Sequence, residues 1–309
     1  MFESPERSGA CGTVTASAVS RFESNMKTVQ LPDGRSLPAL GLGTWRMGEV
    51  ASARRDEIAA VRRALEIGYR VIDTAEMYGE GGAESVVGQA LAETMRAGSL
   101  RREDVFVVSK VYPHNASRSG TLAACDRSRQ RLQLDTIDLY LLHWRGGVPL
   151  QETVAAFETL RERNEIGLWG VSNFDVDDLE ELWQVKGGVR CAANQIYYSL
   201  TERGPDVELL PWQQRHRMPT MAYSPIDQGA LSRSPKLAAM AKRRCVSPAQ
   251  LAIAWILSRP NVMAIPKAVR EPHLRENFAA AALALSDAEL SELDRLFPPP
   301  ARKTPLAMI

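Results

Sequence analysis

The chain has 309 residues, 45% of them apolar and 24% charged, with a formal net charge of +1. That length suits one large barrel domain or two smaller ones, and the apolar content is ample for a sizeable core. The near-neutral balance supplies no global field for nucleic acid or an anionic membrane, so neither is expected as a partner.

Residues 1–25 contain charges near both ends, small polar residues and no apolar run of signal-peptide length. They read as a flexible tail, or as an extension ahead of a start at Met26, where patterned sequence begins. No stretch approaches the roughly 20 apolar residues needed to span a bilayer. Cys11, Cys125, Cys191 and Cys245 show no C-x-x-C pair, and His114, His143, His216 and His273 show no H-x-x-x-H pair. The expectation is free thiols in a reducing cytoplasm and no metal site.

Val29–Pro38 reads as a hairpin around the Asp33-Gly34 turn. Short apolar runs then alternate with helical patterns. The runs are Ala39–Gly43, Tyr69–Asp73, Val105–Lys110, Ile137–His143, Gly167–Ser172, Ala192–Gln195, Thr220–Tyr223 and Val262–Pro266. They are short and nearly continuous, as strands buried on both faces of a parallel sheet are. The helical segments are Asp56–Ile67, Glu84–Met95, Thr121–Leu132, Thr153–Arg163, Asp175–Trp183, Val207–His216, Pro248–Ser258 and Pro272–Leu283. Gly68 reads as a helix terminator, Ser247-Pro248 as a cap with proline at the first helical position, and Ser286-Asp-Ala-Glu289 as a capping box opening an extra C-terminal helix to Leu296. Eight β/α pairs predict an α/β fold, a closed (β/α)8 TIM barrel over residues 26–309. The alternative, an open doubly wound sheet, normally carries G-x-G-x-x-G after its first strand; here Gly41-Leu-Gly43-Thr-Trp-Arg46 ends in arginine.

Three consecutive predicted strands end in ionisable residues: Asp73, Lys110 and His143. In a parallel barrel those ends open onto one face, the face that carries active sites. Tyr78 lies on the loop over the same face. Each residue alone could be a structural cap on its strand. Together they form a buried ionisable cluster whose desolvation is costly without a role. The chemistry that suits it is proton donation to a carbonyl oxygen. Free tyrosine, with a pKa of about 10, is a poor acid near neutrality. Lys110 is expected to lower that value, Asp73 to hold Lys110, and His143 to orient the substrate oxygen.

These segments resemble the aldo-keto reductase family, from Met26 to Ile309. Gly68-Tyr-Arg-Val-Ile-Asp73-Thr-Ala-Glu-Met-Tyr78, Val108-Ser-Lys110 and Leu141-Leu-His143-Trp144 are similar to its catalytic segments. Gly170-Val-Ser172-Asn173-Phe, Asn194-Gln195, Ala222-Tyr223-Ser224-Pro225 and Ile265-Pro-Lys267 followed by Glu276-Asn277 are similar to its cofactor segments. Within the family, Glu-Met-Tyr-Gly-Glu-Gly-Gly-Ala-Glu84 and Lys110-Val-Tyr-Pro-His-Asn115 resemble bacterial reductases of methylglyoxal-type aldehydes. The resemblance implies an NADPH-dependent reductase of small aldehydes or ketoaldehydes, with Tyr78 as general acid. It implies that Ser172, Asn173 and Gln195 hold the nicotinamide carboxamide and that Tyr223 stacks on the ring. Thr44 and Ser224 would lie along the cofactor, Lys267 would meet the 2′-phosphate, and Glu276 and Asn277 the adenine. Trp45, Tyr112 and Trp144 would form the substrate pocket, with His114 a further rim candidate. A cytoplasmic monomer is expected.

Two positions depart from the family pattern. Ala268 stands where serine is common, and His273 where an arginine clamps the adenosine phosphate. Arg270 is a candidate replacement, since guanidinium suits phosphate geometry. NADPH is the expected cofactor, with NADH use left open. Two other readings compete. Gly170-Val-Ser172-Asn-Phe174 begins like a hydrolase nucleophile elbow but ends in Phe rather than Gly. The alternative is a cofactor-binding, redox-sensing subunit with little turnover.

Overall fold

The computed structural model describes residues 26–309, so the expected tail or alternative start at 1–25 lies outside the described residues. The Asp33-Gly34 turn forms as its composition predicts. Strand β1 (Thr28–Gln30) pairs antiparallel with β2 (Ser36–Pro38), Thr28 opposite Pro38. Gly34 has φ +88° with nothing near the position of a Cβ, so backbone conformation rather than space selects glycine there. Val29, Leu31 and Leu37 meet the beginnings of the barrel strands at Val71, Phe106 and Leu139. The hairpin therefore closes the N-terminal end of the barrel.

Eight parallel strands follow: β3 (Leu42–Gly43), β4 (Val71–Asp73), β5 (Phe106–Val111), β6 (Ile137–Leu142), β7 (Ile166–Ser172), β8 (Asn194–Tyr197), β9 (Thr220–Tyr223) and β10 (Val262–Ala264). They hydrogen-bond in sequence order, and parallel bridges Leu40–Ala264 and Gly43–Lys267 join the last to the first. The Gly41 N–H donates to the Ala264 carbonyl at 2.9 Å and the Gly43 N–H to the Pro266 carbonyl at 3.1 Å. A Cβ at Gly43 would stand 2.7 Å from the Ile265 carbonyl oxygen, so only glycine permits this approach. The ring is closed, as the β/α alternation predicted, and the open-sheet alternative is excluded. All six residues of β5 are buried, which is why its sequence is continuous rather than alternating.

The helices surround the strands: α1 (Arg54–Ile67), α2 (Gly82–Arg96), α3 (Arg118–Leu132), α4 (Leu150–Glu162), α5 (Val176–Gln184), α6 (Leu209–Arg215), α7 (Pro235–Arg244), α8 (Pro248–Leu257), α9 (Glu271–Ala279) and α10 (Asp287–Leu296). Phe157 of α4 stacks on Trp169 of β7 with centroids 5.4 Å apart, an example of the apolar layer between barrel and helices. Gly68 ends α1 at φ +126°, Ser247 caps α8 and the Ser286–Glu289 capping box opens α10 as expected, and Gln250 completes a capping box at Ser247 as well. Helix α7 was not anticipated. Its signal, Ser234-Pro235, is the same cap-proline pair that marks α8, but its ten residues include Lys236, Lys242, Arg243 and Arg244 and resemble a solvated loop. Among the described residues no helix is long and apolar enough to cross a membrane. Cys125, Cys191 and Cys245 are free thiols.

One close contact yields a test. A Cβ on Gly88 of α2 would lie 2.3 Å from the Arg131 carbonyl oxygen at the end of α3. Alanine gains about 1 kcal/mol of helix propensity but meets backbone that cannot swing away. Gly88→Ala is expected to lose a net ~1–2 kcal/mol, read as a lower urea midpoint. A raised midpoint would show that the two helices can separate without cost.

Candidate active site

Asp73 is the last residue of β4, Lys110 lies one residue from the end of β5, and His143 follows β6 directly. Tyr78 opens the short turn Tyr78–Gly81 beyond β4. Register therefore brings side chains 37 and 70 residues from Asp73 to one face. Lys110 is completely buried. Its Nζ donates to Asp73 Oδ2 at 2.8 Å, to the Thr74 carbonyl at 2.8 Å and to the Tyr78 hydroxyl at 3.2 Å. All three ammonium protons thus have acceptors, which makes an entirely dry lysine tolerable. Gln195 Nε2 donates to the other Asp73 oxygen at 2.7 Å. The His143 ring meets Tyr78 edge-on at 5.6 Å.

The electrostatics correct one expectation. Lys110 was expected to draw the Tyr78 pKa down, yet it is held well above 10, by burial first and by the Asp73 carboxylate second. The ammonium is neutralised by Asp73 and commits two of its protons elsewhere, so in this dry site the phenol keeps its proton. Burial also lowers the Lys110 pKa, with Asp73 opposing that shift. His143 is held well below the usual imidazole value, by burial and then by Lys110. Its Nδ1 is buried without a partner among the described residues. The site at rest combines a protonated phenol, a neutral imidazole and a compensated ion pair.

A cavity of about 880 Å³ runs from this cluster across the C-terminal face. Asp73, Tyr78 and His143 line one part of it with Trp45 and Trp144. Ser172, Asn173, Gln195, Tyr223 and Ser224 line the next part, and Lys267, Arg270, Glu276 and Asn277 the far part. Gln195 is buried, and among the described residues its amide oxygen has no hydrogen-bond partner. Asn173 is already engaged: Nδ2 donates to the His143 carbonyl and to Ser172 Oγ, and Oδ1 accepts from the Tyr223 hydroxyl at 2.9 Å. Tyr223 also stacks on Tyr197, 5.8 Å between centroids at 17°, which fixes a flat aromatic wall. Lys267 is exposed and forms no salt bridge among the described residues. Arg270 contacts His273 Nε2, and His273 Nδ1 lies 3.3 Å from Glu276.

Two expected residues stand elsewhere. Thr44 is wholly buried and does not line the cavity; its hydroxyl donates to the Asp73 carbonyl at 2.9 Å. Tyr112 meets Trp144 edge-on at 5.8 Å and is likewise absent from the lining. Other lining residues were not anticipated. Met77 and Arg46 sit on loops that follow recognised strands, and Gln228, Gly229, Ser232 and Arg233 belong to the turns before α7. Met308 and Ile309 arrive from a C-terminal segment whose Lys303 lies 3.3 Å from Glu208 and 3.6 Å from Asp175. No local pattern foretells that return.

A closed parallel barrel with a dry Asp–Lys–Tyr–His cluster at the mouth of an elongated cleft has the construction of a (β/α)8 enzyme of acid–base chemistry. Residues 39–297 match the Aldo/keto reductase family, and the chain belongs to it. It is therefore an oxidoreductase. Similar proteins include the methylglyoxal reductase YeaE of Escherichia coli strain K12, 48% identical over 288 residues, which span 92% of this chain and 99% of that one. The glyoxal reductase of Bacillus subtilis strain 168 is 34% identical, over 87% of this chain and 92% of that one. Among solved structures, an aldo-keto reductase from Klebsiella pneumoniae in complex with NADPH superposes with a TM-score of 0.87 at 47% identity, over 92% of this chain and 99% of that one.

The pKa directions predict the pH profile. His143 remains neutral down to well below 6.5, and Tyr78 remains protonated to well above 10. With both substrates saturating, reductive kcat is expected to be flat from about pH 6 to about pH 9. An acid limb centred at the ordinary imidazole value would contradict the neutral, buried His143.

Proposed function

We propose that this protein reduces small aldehydes and ketoaldehydes of the methylglyoxal type to alcohols, with NADPH as cofactor and Tyr78 as general acid. The observation that carries the reading is the Tyr78 hydroxyl, 3.2 Å from a completely buried Lys110 ammonium and beside neutral His143 in a cavity that extends to Lys267. The naming of YeaE as a methylglyoxal reductase supports the substrate class. The NADPH-bound Klebsiella relative supports the cofactor.

The donor set fits a nicotinamide dinucleotide phosphate. Gln195 offers its amide oxygen and Ser172 a hydroxyl to the carboxamide, and Tyr223 offers a flat face to the ring. Asn173 serves mainly to hold the Tyr223 ring and the His143 carbonyl. Asn277 is buried in the cavity wall, its side chain in no hydrogen bond among the described residues, and is suited to the adenine together with Glu276. Ser224 lines the path between, and Lys267 and Arg270 supply positive charge for the 2′-phosphate. Thr44 acts from beneath, fixing the Asp73 backbone. NADPH, when bound, supplies the hydride.

The chain's own residues manage the proton. A carbonyl oxygen placed between the Tyr78 hydroxyl and His143 can accept hydrogen bonds from both. As negative charge develops on that oxygen, the Tyr78 proton moves to it. Lys110 Nζ already donates to the phenolic oxygen and stabilises the charge that appears there. Asp73 keeps the ammonium in place. Water exclusion strengthens each of these interactions. Trp45 and Trp144 wall the reacting end, which suits a small, partly apolar carbonyl compound.

Turnover of an aldehyde panel with NADPH and with NADH tests the reading directly. Tyr78→Phe is expected to cut reductive kcat by about a thousandfold while leaving NADPH binding, followed by fluorescence titration, near normal. Near-full turnover in that variant would remove Tyr78 from the acid role. Lys267→Ala should raise the NADPH KM by about tenfold and leave the NADH KM within about twofold. Equal effects on both cofactors would take Lys267 out of the phosphate site.

A further inference from the structure

The two sequence segments Glu76–Glu84 and Lys110–Asn115 contain more than their catalytic residues, and the structure joins them through one side chain. Glu76 lies between Asp73 and Tyr78 and is buried, at 6% exposure. Its Oε1 accepts from the Tyr112 backbone N–H at 2.7 Å and from Asn115 Nδ2 at 2.9 Å. Its Oε2 faces the Arg127 guanidinium of α3 at 3.5 Å. The Glu76 backbone N–H donates to the Lys110 carbonyl at 3.2 Å. The carboxylate therefore clips the loop after β5 to the loop that carries Tyr78.

The clipped loop supports the substrate end of the cavity. Tyr112 packs against His114 at 4.5 Å and meets Trp144 edge-on at 5.8 Å. Trp144 in turn leans on His143, 5.0 Å between centroids, and lines the cavity. Glu76 itself does not line it, and neither does Tyr112. The residues placed at the cofactor end lie on other strands and on α9. We infer that Glu76 is a positioning residue for the carbonyl substrate: it fixes Tyr112, and through Tyr112 the Trp144 wall, without acting on cofactor binding. This inference rests on the reductase reading above.

The chemistry of the contact says which variants separate its parts. Glutamine keeps an amide oxygen for the Tyr112 N–H and Asn115 but loses the charge facing Arg127. Alanine removes the acceptor and leaves the part-buried Tyr112 backbone N–H without its partner. Tyr112→Leu keeps the clip, because the bond is to backbone, and removes the ring that touches Trp144.

The experiment measures kcat and KM for methylglyoxal at saturating NADPH, and NADPH Kd by fluorescence titration, in wild type, Glu76→Ala, Glu76→Gln, Tyr112→Leu and the Glu76→Ala/Tyr112→Leu double variant. Expected for Glu76→Ala is a carbonyl KM raised by about tenfold with NADPH Kd within about twofold. Glu76→Gln should stay within about threefold of wild type on both. The double variant should be no worse than the worse single, since the two residues act in series. An unchanged carbonyl KM in Glu76→Ala, equal losses in KM and Kd, or additive single effects would each overturn the assignment. Should Glu76→Ala fail to fold, Asn115→Ala removes one donor and is expected to raise the carbonyl KM by about threefold; no change there overturns it as well. A wild-type chain that turns over no carbonyl compound overturns the reductase reading, and the assignment with it. Normal wild-type turnover with an unmoved KM overturns the assignment alone.

Discussion

The site depends on one interaction, the ion pair between Lys110 and Asp73 inside the barrel mouth. An ammonium with no solvent exposure is tolerable only if every proton has an acceptor, and here Asp73, the Thr74 carbonyl and the Tyr78 hydroxyl provide them. That requirement determines the surroundings. Gln195 must reach across from β8 to occupy the second Asp73 oxygen, and Thr44, just past β3, must hold the Asp73 carbonyl. Removing any partner leaves a buried charge or dipole uncompensated. The barrel therefore positions its acid through a network of satisfied hydrogen bonds contributed by several strands.

The same pair explains the protonation state of the site. Charge compensation prevents Lys110 from acting as a free cation on Tyr78, and burial keeps the phenol protonated. An acid that holds its proton at rest and releases it only to developing oxyanion charge suits a reductase better than one already half ionised. The neutral His143 beside it adds a hydrogen-bonding group without a second charge. The proposed chemistry follows from this resting state, in which Tyr78 and His143 are neutral beside the Lys110–Asp73 pair.

Strand positions were legible because burial on both faces writes itself as an uninterrupted apolar run. An ionisable residue closing such a run is visible as an anomaly: Asp73, Lys110 and His143 each stand out in this way. The Asp-Gly turn, the Gly68 terminator, the Ser247 cap and the Ser286–Glu289 capping box are equally local. Helix α7 was missed because Lys236, Lys242, Arg243 and Arg244 dilute its apolar face, although Ser234-Pro235 marked its start. Tyr112 was placed in the pocket because it follows a strand end. Its ring packs against His114 and the edge of Trp144 and does not line the cavity, and sequence distance from a strand end does not say which way a ring turns.

By itself the sequence determined the β/α alternation and the residues at the strand ends. Each of these is encoded within a few residues, through hydrophobic period, capping and turn chemistry. Tertiary structure alone decided which groups are satisfied and which remain open. It engaged Asn173 with Tyr223 and His143, left the Gln195 oxygen without a partner among the described residues, joined Glu76 to Tyr112 and Asn115, and brought Met308 and Ile309 to the cavity. It also reversed the expected shift of Tyr78, because a pKa is a sum over burial and charge contributed by several strands, and no one segment contains that sum.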